Sequence, residues 1–360
     1  MKQIKIGILG GGVGGLVCAS ELNYRLGTDT QITVIDRSPY HLFQPALLHL
    51  ALGERKLKAI QRPLERLRKQ NTNFVNSEIT NIDVKQLTVN TKKDDFKFDY
   101  LVVGLGAKLN PSAISGFEDN AYNLYSSQGA EQINKALKEF SGGKIAIVIA
   151  SLPFKCPAAP YEMAFLLDYY FKKRKIRQKV EIVLATPEPQ PMPLAGKAIG
   201  PMVTDMLAGK DIEYLPNKQL KSVEKTVLLD KQRIKADLVI GIPNHSCPDV
   251  IVDSGLAKKG GWIKVDKFSL ETEYKNIHAI GDNAAIALAN GKPLPKAGVF
   301  AKSQAQIVAF NLAHKIGGKT LEKKYMGEGG CFIEVGHKKA AFASGDFYHE
   351  PEPLFDPKKA

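Results

Sequence analysis

Two cysteines and a glutamate carry the types and spacing for chemistry. Cys156 lies in Phe154-Lys155-Cys156-Pro157-Ala158-Ala159-Pro160-Tyr161-Glu162, behind a lysine and just ahead of an apolar stretch with helical spacing. A cationic neighbour and a helix start both favour thiolate over thiol, so this sulfur is a candidate for redox exchange. Glu162 follows six residues on, close enough for one helical turn to return its carboxyl toward the sulfur. Burial there would raise its pKa and suit it to moving a proton. The plain alternative is a first-turn acid that complements the helix dipole. Cys331, in Gly329-Gly330-Cys331-Phe332, is the second candidate sulfur. Sequence alone cannot pair two cysteines so far apart, and inert buried thiols are the competing reading. Cys18 reads as core and Cys247 as structural. The seven histidines show no metal spacing, so no metal site is expected. His278 reads as packing and His337 as a turn residue.

The glycines are the second signal. Lys2–Leu9 predicts a buried parallel strand, and Leu16–Leu26 has helical spacing. Gly10, Gly12 and Gly15 between them form G-x-G-x-x-G at a strand-to-helix turn. Gly10 allows the tight turn, Gly12 lets a pyrophosphate reach the backbone, and Gly15 lets helix and strand pack closely. A second strand, Gln31–Ile35, ends in Asp36, 21 residues past Gly15. An acid there accepts hydrogen bonds from ribose hydroxyls. A glycine-rich structural turn is the weaker alternative.

These motifs need elements to hold them. Tyr100–Gly106 predicts a buried strand ending in glycine. A second strand–helix–strand unit is expected from Lys144–Ala150, Tyr161–Phe171 and Val180–Leu184. Ala236–Gly241 and His278–Ile280 predict further strands, Lys302–Lys315 a helix, and Leu57–Lys69 a basic amphipathic helix. The proline-bearing tail from Glu350 is expected to fray. The fold class that follows is α/β, with two Rossmann-like dinucleotide-binding domains and a small C-terminal region. The expected segments are 1–110 (first part of the dinucleotide domain), 111–235 (second Rossmann-like domain), 236–315 (return to the first) and 316–360 (the C-terminal region with Cys331). The 360 residues fit about two domains; 44% are hydrophobic and 24% charged, which excludes collagenous or disordered chains. No apolar run reaches the ~18 residues of a spanning helix, and neither a signal peptide nor a disulfide scaffold is read from the sequence.

Gly10-x-Gly12-x-x-Gly15 with Asp36, Val103-Gly104-Leu105-Gly106-Ala107 and Ala279-Ile280-Gly281-Asp282-Asn283 together resemble the two-dinucleotide-domain flavoprotein superfamily. The resemblance implies FAD, with the first set on its adenosine and pyrophosphate and Asp282 on its ribityl chain. The cofactor-binding residues expected are Gly10, Gly12, Gly15, Asp36, Arg37, Ile79, Gly106, Gly281, Asp282 and Lys296. Reductases of that superfamily fed by NAD(P)H carry a second glycine motif after the second domain's first strand. Here no glycine occurs between Lys144 and Gly196, and Pro153, Pro157 and Pro160 cannot donate N–H groups to a phosphate.

The Phe154–Glu162 segment that stands there resembles the cysteine motif of flavocytochrome c sulfide dehydrogenases and sulfide:quinone oxidoreductases. Tyr40-His41-x-Phe43-x-Pro45 and Gly260-Gly261-Trp262-Ile263-x-Val265-Asp266 are similar to segments of the same family. The resemblance implies that Cys156 pairs with Cys331 as a redox disulfide or polysulfide, that Glu162 is an active-site acid, and that Lys296 supports the reduced flavin's charge. It implies oxidation of sulfide, with electrons leaving through FAD to a quinone or a cytochrome.

Longer members of the family carry a third cysteine in the segment matching 120–128, where this chain has Tyr122, Tyr125, Ser126 and Ser127. They also end in amphipathic membrane helices, which the acidic, proline-rich tail here does not match. Phe332, Phe342, Phe347 and Tyr348 are candidates for a quinone slot, with self-packing or a homodimer contact as the alternative. The charge excess of +13, concentrated in 55–69 and 172–179, suits peripheral contact with anionic lipid or an acidic redox partner. No recognition motif points to nucleic acid, and a cytoplasmic location is expected. The competing functions are an NADH- or thiol-dependent reductase of the same fold, and a non-catalytic flavin-binding subunit.

Overall fold

The computed structural model describes residues 3–27, 30–70 and 72–358; the start expected at Lys2 lies outside them. The chain divides into two compact units. The first comprises Met1–Leu42, Gln61–Lys108 and Ser246–Gly327, the second Phe43–Ile60, Leu109–His245 and Glu328–Ala360.

The first unit is built on a five-stranded parallel sheet in the order Ile277–Ala279, Tyr100–Val103, Ile4–Leu9, Thr30–Asp36, Thr72–Asn76. Its central strands are apolar on both faces, as strands covered from both sides must be: Ile6, Ile8, Leu9, Leu101, Val102 and Val103 are fully buried. The helix Val13–Leu26 follows the first strand and packs against Gly298–Ile316. Cys18 lies in that core, its thiol pushed up to about 12 by burial.

The second unit repeats the plan with a parallel sheet in the order Tyr122–Asn123, Leu238–Ile242, Gly143–Ile149, Val180–Ala185, Ile212–Leu215. Leu238–Ile242 hydrogen-bonds Gly143–Ile149 here, so the return to the first unit comes at Ser246 and not at 236. The helix Ala159–Lys173 covers this sheet, and the antiparallel sheet Glu328–Gly336, Lys339–Asp346, Leu354–Lys358 packs against that helix.

Two further expectations change. The run 57–69 is not one helix: Leu57–Ile60 is a single turn, Gln61–Pro63 pairs antiparallel with Tyr40–Leu42, and Leu64–Gln70 is 3-10. Pro63 has no N–H to donate and pushes Arg62 toward extended backbone, so the helix stops before them. The tail also does not simply fray, because Leu354–Lys358 forms the outer strand of the C-terminal sheet. Its Pro357 sits on an edge strand, where a missing donor costs little. Among the described residues no helix is long and apolar enough to cross a membrane, and no cluster of three potential metal ligands occurs.

Candidate functional site

In the first unit the glycine turn forms as the spacing requires. Gly10 has φ +107 and donates its N–H to Ile35 O at 2.8 Å, tying the turn to the neighbouring strand. A Cβ on Gly15 would stand 1.9 Å from the Gly10 carbonyl oxygen, so only glycine permits this helix–strand approach. Gly12 is the opposite case: it is exposed and a Cβ there would meet nothing within 4 Å. It also opens the helix Val13–Leu26, which no side chain caps. An uncapped helix start beside open space is where a pyrophosphate fits. Asp36 lies beside it, its two oxygens accepting the Gly11 N–H at 2.6 Å and the Ser38 N–H at 2.7 Å. Arg37 is exposed next to it, and its carbonyl accepts Asn76 Nδ2. Ile79 is a buried member of the core.

The later motifs converge within the same unit. Gly106 donates to Asn283 Oδ1 at 2.9 Å, and Asn283 Nδ2 donates to Val103 O at 3.0 Å, joining the two strand ends. Gly281 donates to Gln304 Oε1 at 2.7 Å. Lys296 is buried, with Nζ 2.6 Å from Asp282 O, 3.3 Å from Ala284 O and 3.6 Å from the Trp262 ring centroid. Burial pulls its pKa down to about 8. Cys247 is buried in this core, its thiol pushed up to about 11 by desolvation. His278 is buried as well and is held near 4 for the same reason.

In the second unit, Cys156 has φ +50, an uncommon conformation for a non-glycine residue. Its carbonyl accepts the Ala159 N–H and the Tyr125 hydroxyl, each at 3.0 Å, so backbone bonds hold the residue ahead of the helix Ala159–Lys173. Glu162 lies in that helix's first turn and accepts the Glu334 N–H at 3.0 Å. Burial raises its carboxyl to about 7, with the Glu334 charge adding to the rise. Glu334 belongs to the strand that carries Cys331, and that thiol is pushed up to about 11 by burial and by the Glu162 charge. The fold therefore brings Glu162 to Cys331. None of the four cysteines is in a disulfide.

Five residues here were given no role by the sequence. His49 in the short helix Leu47–Ala51 places Nδ1 2.8 Å from Glu54 Oε2 and Nε2 3.0 Å from Glu334 Oε2. No spacing unites positions 49, 54 and 334. Tyr161 and Glu188 form a second unforeseen pair, the hydroxyl donating to Oε2 at 2.6 Å with both residues buried. Glu188, just past the strand Val180–Ala185, stands where a dinucleotide unit offers an acid to ribose; here Tyr161 occupies it from inside.

Other expected residues divide. Phe332 is 65% exposed and its ring lies 4.6 Å from that of Phe342, whereas Phe347 is buried against Phe355. His337 has φ +55, as has Lys338 at +57, and the pair turns the hairpin. Much of the 172–179 charge is spent internally: Lys172, Arg177 and Lys210 surround buried Asp168, and Arg174 donates to the Leu137 and Phe140 carbonyls.

Comparison with known proteins follows the same lines. Residues 4–305 match the model of the pyridine nucleotide-disulphide oxidoreductase family. The sulfide-quinone reductase of Aquifex aeolicus is 31% identical over 328 residues, 86% of this chain and 76% of that protein. The crystal structure of the sulfide:quinone oxidoreductase from Aquifex aeolicus superposes with a TM-score of 0.89 at 28% identity, covering 99% of this chain and 87% of that one. A type II NADH:quinone oxidoreductase of Staphylococcus aureus is 24% identical over 338 residues, 89% of this chain and 84% of its own length. With this glycine cradle, this cysteine loop and these relatives, the chain is an FAD-binding oxidoreductase that belongs to the pyridine nucleotide-disulphide oxidoreductase family, on its sulfide:quinone oxidoreductase branch.

Proposed function

We propose that this flavoprotein oxidises sulfide, or a closely related sulfur species, through Cys156 and Cys331 and delivers two electrons through FAD to a quinone, with a cytochrome as the alternative acceptor. The observation that carries the reading is Glu162. It is a half-buried carboxyl that desolvation raises to about 7 beside the Cys331 thiol, in the helix that follows the Cys156 loop.

FAD, when bound, supplies a two-electron acceptor that can pass its electrons onward. Gly10, Gly12 and Gly15 would receive its pyrophosphate, and Asp36, with Arg37 and Ile79 nearby, its adenosine end. Gly106, Gly281, Asp282 and Lys296 would hold the remainder. In the oxidised enzyme Cys156 and Cys331 would be bridged. Hydrosulfide attacks one bridge sulfur; the S–S bond breaks, one cysteine becomes a persulfide and the other leaves as thiolate. The proton of the new S–H goes to Glu162. For each hydrosulfide the balance is one sulfur at the zero oxidation level, one proton and two electrons, which bound FAD would take up. Peripheral contact with a membrane that holds the quinone belongs to the same proposal, with exposed Phe332 and Leu354 on the C-terminal sheet as the contact residues.

The NADH relative gives the rival reading its weight. Against it stand the glycine-free loop and the Tyr161–Glu188 pair. Anaerobic titration of the purified holoenzyme separates the two. Sulfide is expected to bleach the flavin band and NADH to leave it unchanged; bleaching by NADH alone would overturn the proposal.

A further inference from the structure

Oxidising hydrosulfide releases a proton, and a carboxyl that accepts it must lose it before the next turnover. The residues around Glu162 offer an outlet. Its Oε1 accepts the Glu334 backbone N–H, which carries no proton onward but holds the Glu334 carboxylate near enough for its charge to act on Glu162. The Glu334 carboxylate is 3.0 Å from His49 Nε2, and the other face of the same ring is 2.8 Å from Glu54 Oε2. In this order the side chains of Glu334, His49 and Glu54 are 37%, 28% and 48% exposed, so the row ends at its most exposed member. An imidazole with a carboxylate at each nitrogen can accept a proton on one side and release it on the other. The helix Leu47–Ala51 that presents the ring is fixed partly by Asn134, which donates to the Ala51 carbonyl.

We infer that Glu334, His49 and Glu54 form a proton outlet that returns Glu162 to its carboxylate form after each sulfide oxidation. The inference rests on the sulfide reading above. The proton taken from the persulfide S–H leaves Glu162, crosses to Glu334 and to Nε2 of His49, and exits from Nδ1 through Glu54 to water. No electrons move in these steps. His49 is a positioning and relay residue, since it touches Glu162 only through Glu334. The competing account is structural: His49 clamps its segment to the C-terminal strand through Glu334, with Glu54 bracing the ring from the same segment.

Rapid anaerobic mixing of FAD-loaded protein with excess sulfide, across a series of imidazole concentrations at constant ionic strength, tests the outlet. In wild type, repeated turnover with a soluble quinone is expected to be indifferent to imidazole. In His49→Gln, turnover falls about tenfold and climbs back with added imidazole, while FAD content and melting temperature stay near wild type. A clamp would give no imidazole rescue. His49→Gln turning over at the wild-type rate, or slowed without rescue, overturns the outlet while leaving the sulfide reading intact. A wild-type rate that climbs with imidazole overturns it whatever the variant does. Wild type that sulfide does not bleach overturns the functional reading, and the outlet with it.

Discussion

Glu162→Gln keeps the size of the side chain and removes its ionisation, so it isolates what the buried charge does. Burial lifts the carboxyl from 4.5 to about 7. Between those values the folded chain holds a proton that the unfolded chain has lost. The stability tied to that proton is full below pH 4.5 and is lost as pH rises through about 7. A gap of about 2.5 pH units at about 1.4 kcal/mol each sets an upper limit near 3.5 kcal/mol at pH 8, and partial access of water brings the expectation to about 1–3 kcal/mol. Glu162→Gln should therefore be more stable than wild type by that order at pH 8 and no different near pH 4, as read by urea unfolding. Catalysis should move the other way. The carboxylate fraction grows from about a tenth at pH 6 to about nine tenths at pH 8, so the contribution of Glu162 to sulfide-driven bleaching rises about ninefold. Hydrosulfide also ionises near neutrality, and that part of the limb remains in the variant while the rate falls about 10²–10³-fold. Stopped-flow bleaching from pH 6 to 8 reads both effects. A variant with the wild-type rate and the wild-type limb would refute the role of Glu162 as proton acceptor.

Two substitutions probe the remaining parts. Cys156→Ser and Cys331→Ser should each abolish sulfide-driven bleaching while dithionite still reduces the flavin; a serine variant that sulfide bleaches at the wild-type rate would make that cysteine structural. Gly15→Ala pushes a methyl carbon to within 1.9 Å of the Gly10 carbonyl oxygen, a displacement that costs several times the ~1–3 kcal/mol of ordinary overpacking. The purified variant should lose most of its FAD, read as the ratio of flavin to protein absorbance after gel filtration.

The legible parts of this molecule are those whose chemistry is local in sequence. Gly10, Gly12, Gly15 and Asp36 report one turn and the strand beside it, and the turn is built as their spacing requires. The Phe154–Glu162 segment is equally local, so its helix start could be read directly. The failures have three physical sources. The apolar spacing of Leu57, Ile60, Leu64 and Leu67 suggests a helix, but Pro63 overrides it, and an amphipathic pattern alone does not register a missing N–H. Leu238–Ile242 is wholly buried and apolar. Such a strand suits either parallel sheet, and only its neighbours decide which one it enters. The His49, Glu54 and Glu334 arrangement was illegible for a third reason, since it forms only when three distant segments pack.

The Tyr161–Glu188 pair shows why absence of a glycine motif is only half of the argument against a nicotinamide dinucleotide. A Rossmann-like unit keeps its sheet and its crossover helix whatever ligand it serves, so the sheet in the second unit says nothing about NADH. The acid after the second strand does bear on it. In a nucleotide site that carboxylate must face outward, solvated and free to accept from ribose. Glu188 is 3% exposed, accepts from the Tyr161 hydroxyl at 2.6 Å, and has been raised to about 7 by burial. Freeing it would mean withdrawing the fully buried Tyr161 ring, and burying a side chain of that size is worth ~2–3 kcal/mol before its hydrogen bond is added. Tyr161 immediately precedes Glu162 and is five residues past Cys156. The segment whose tyrosine occupies Glu188 thus also carries Glu162 and Cys156, so on the proposed reading one stretch of chain would bar one reductant and supply the groups for another.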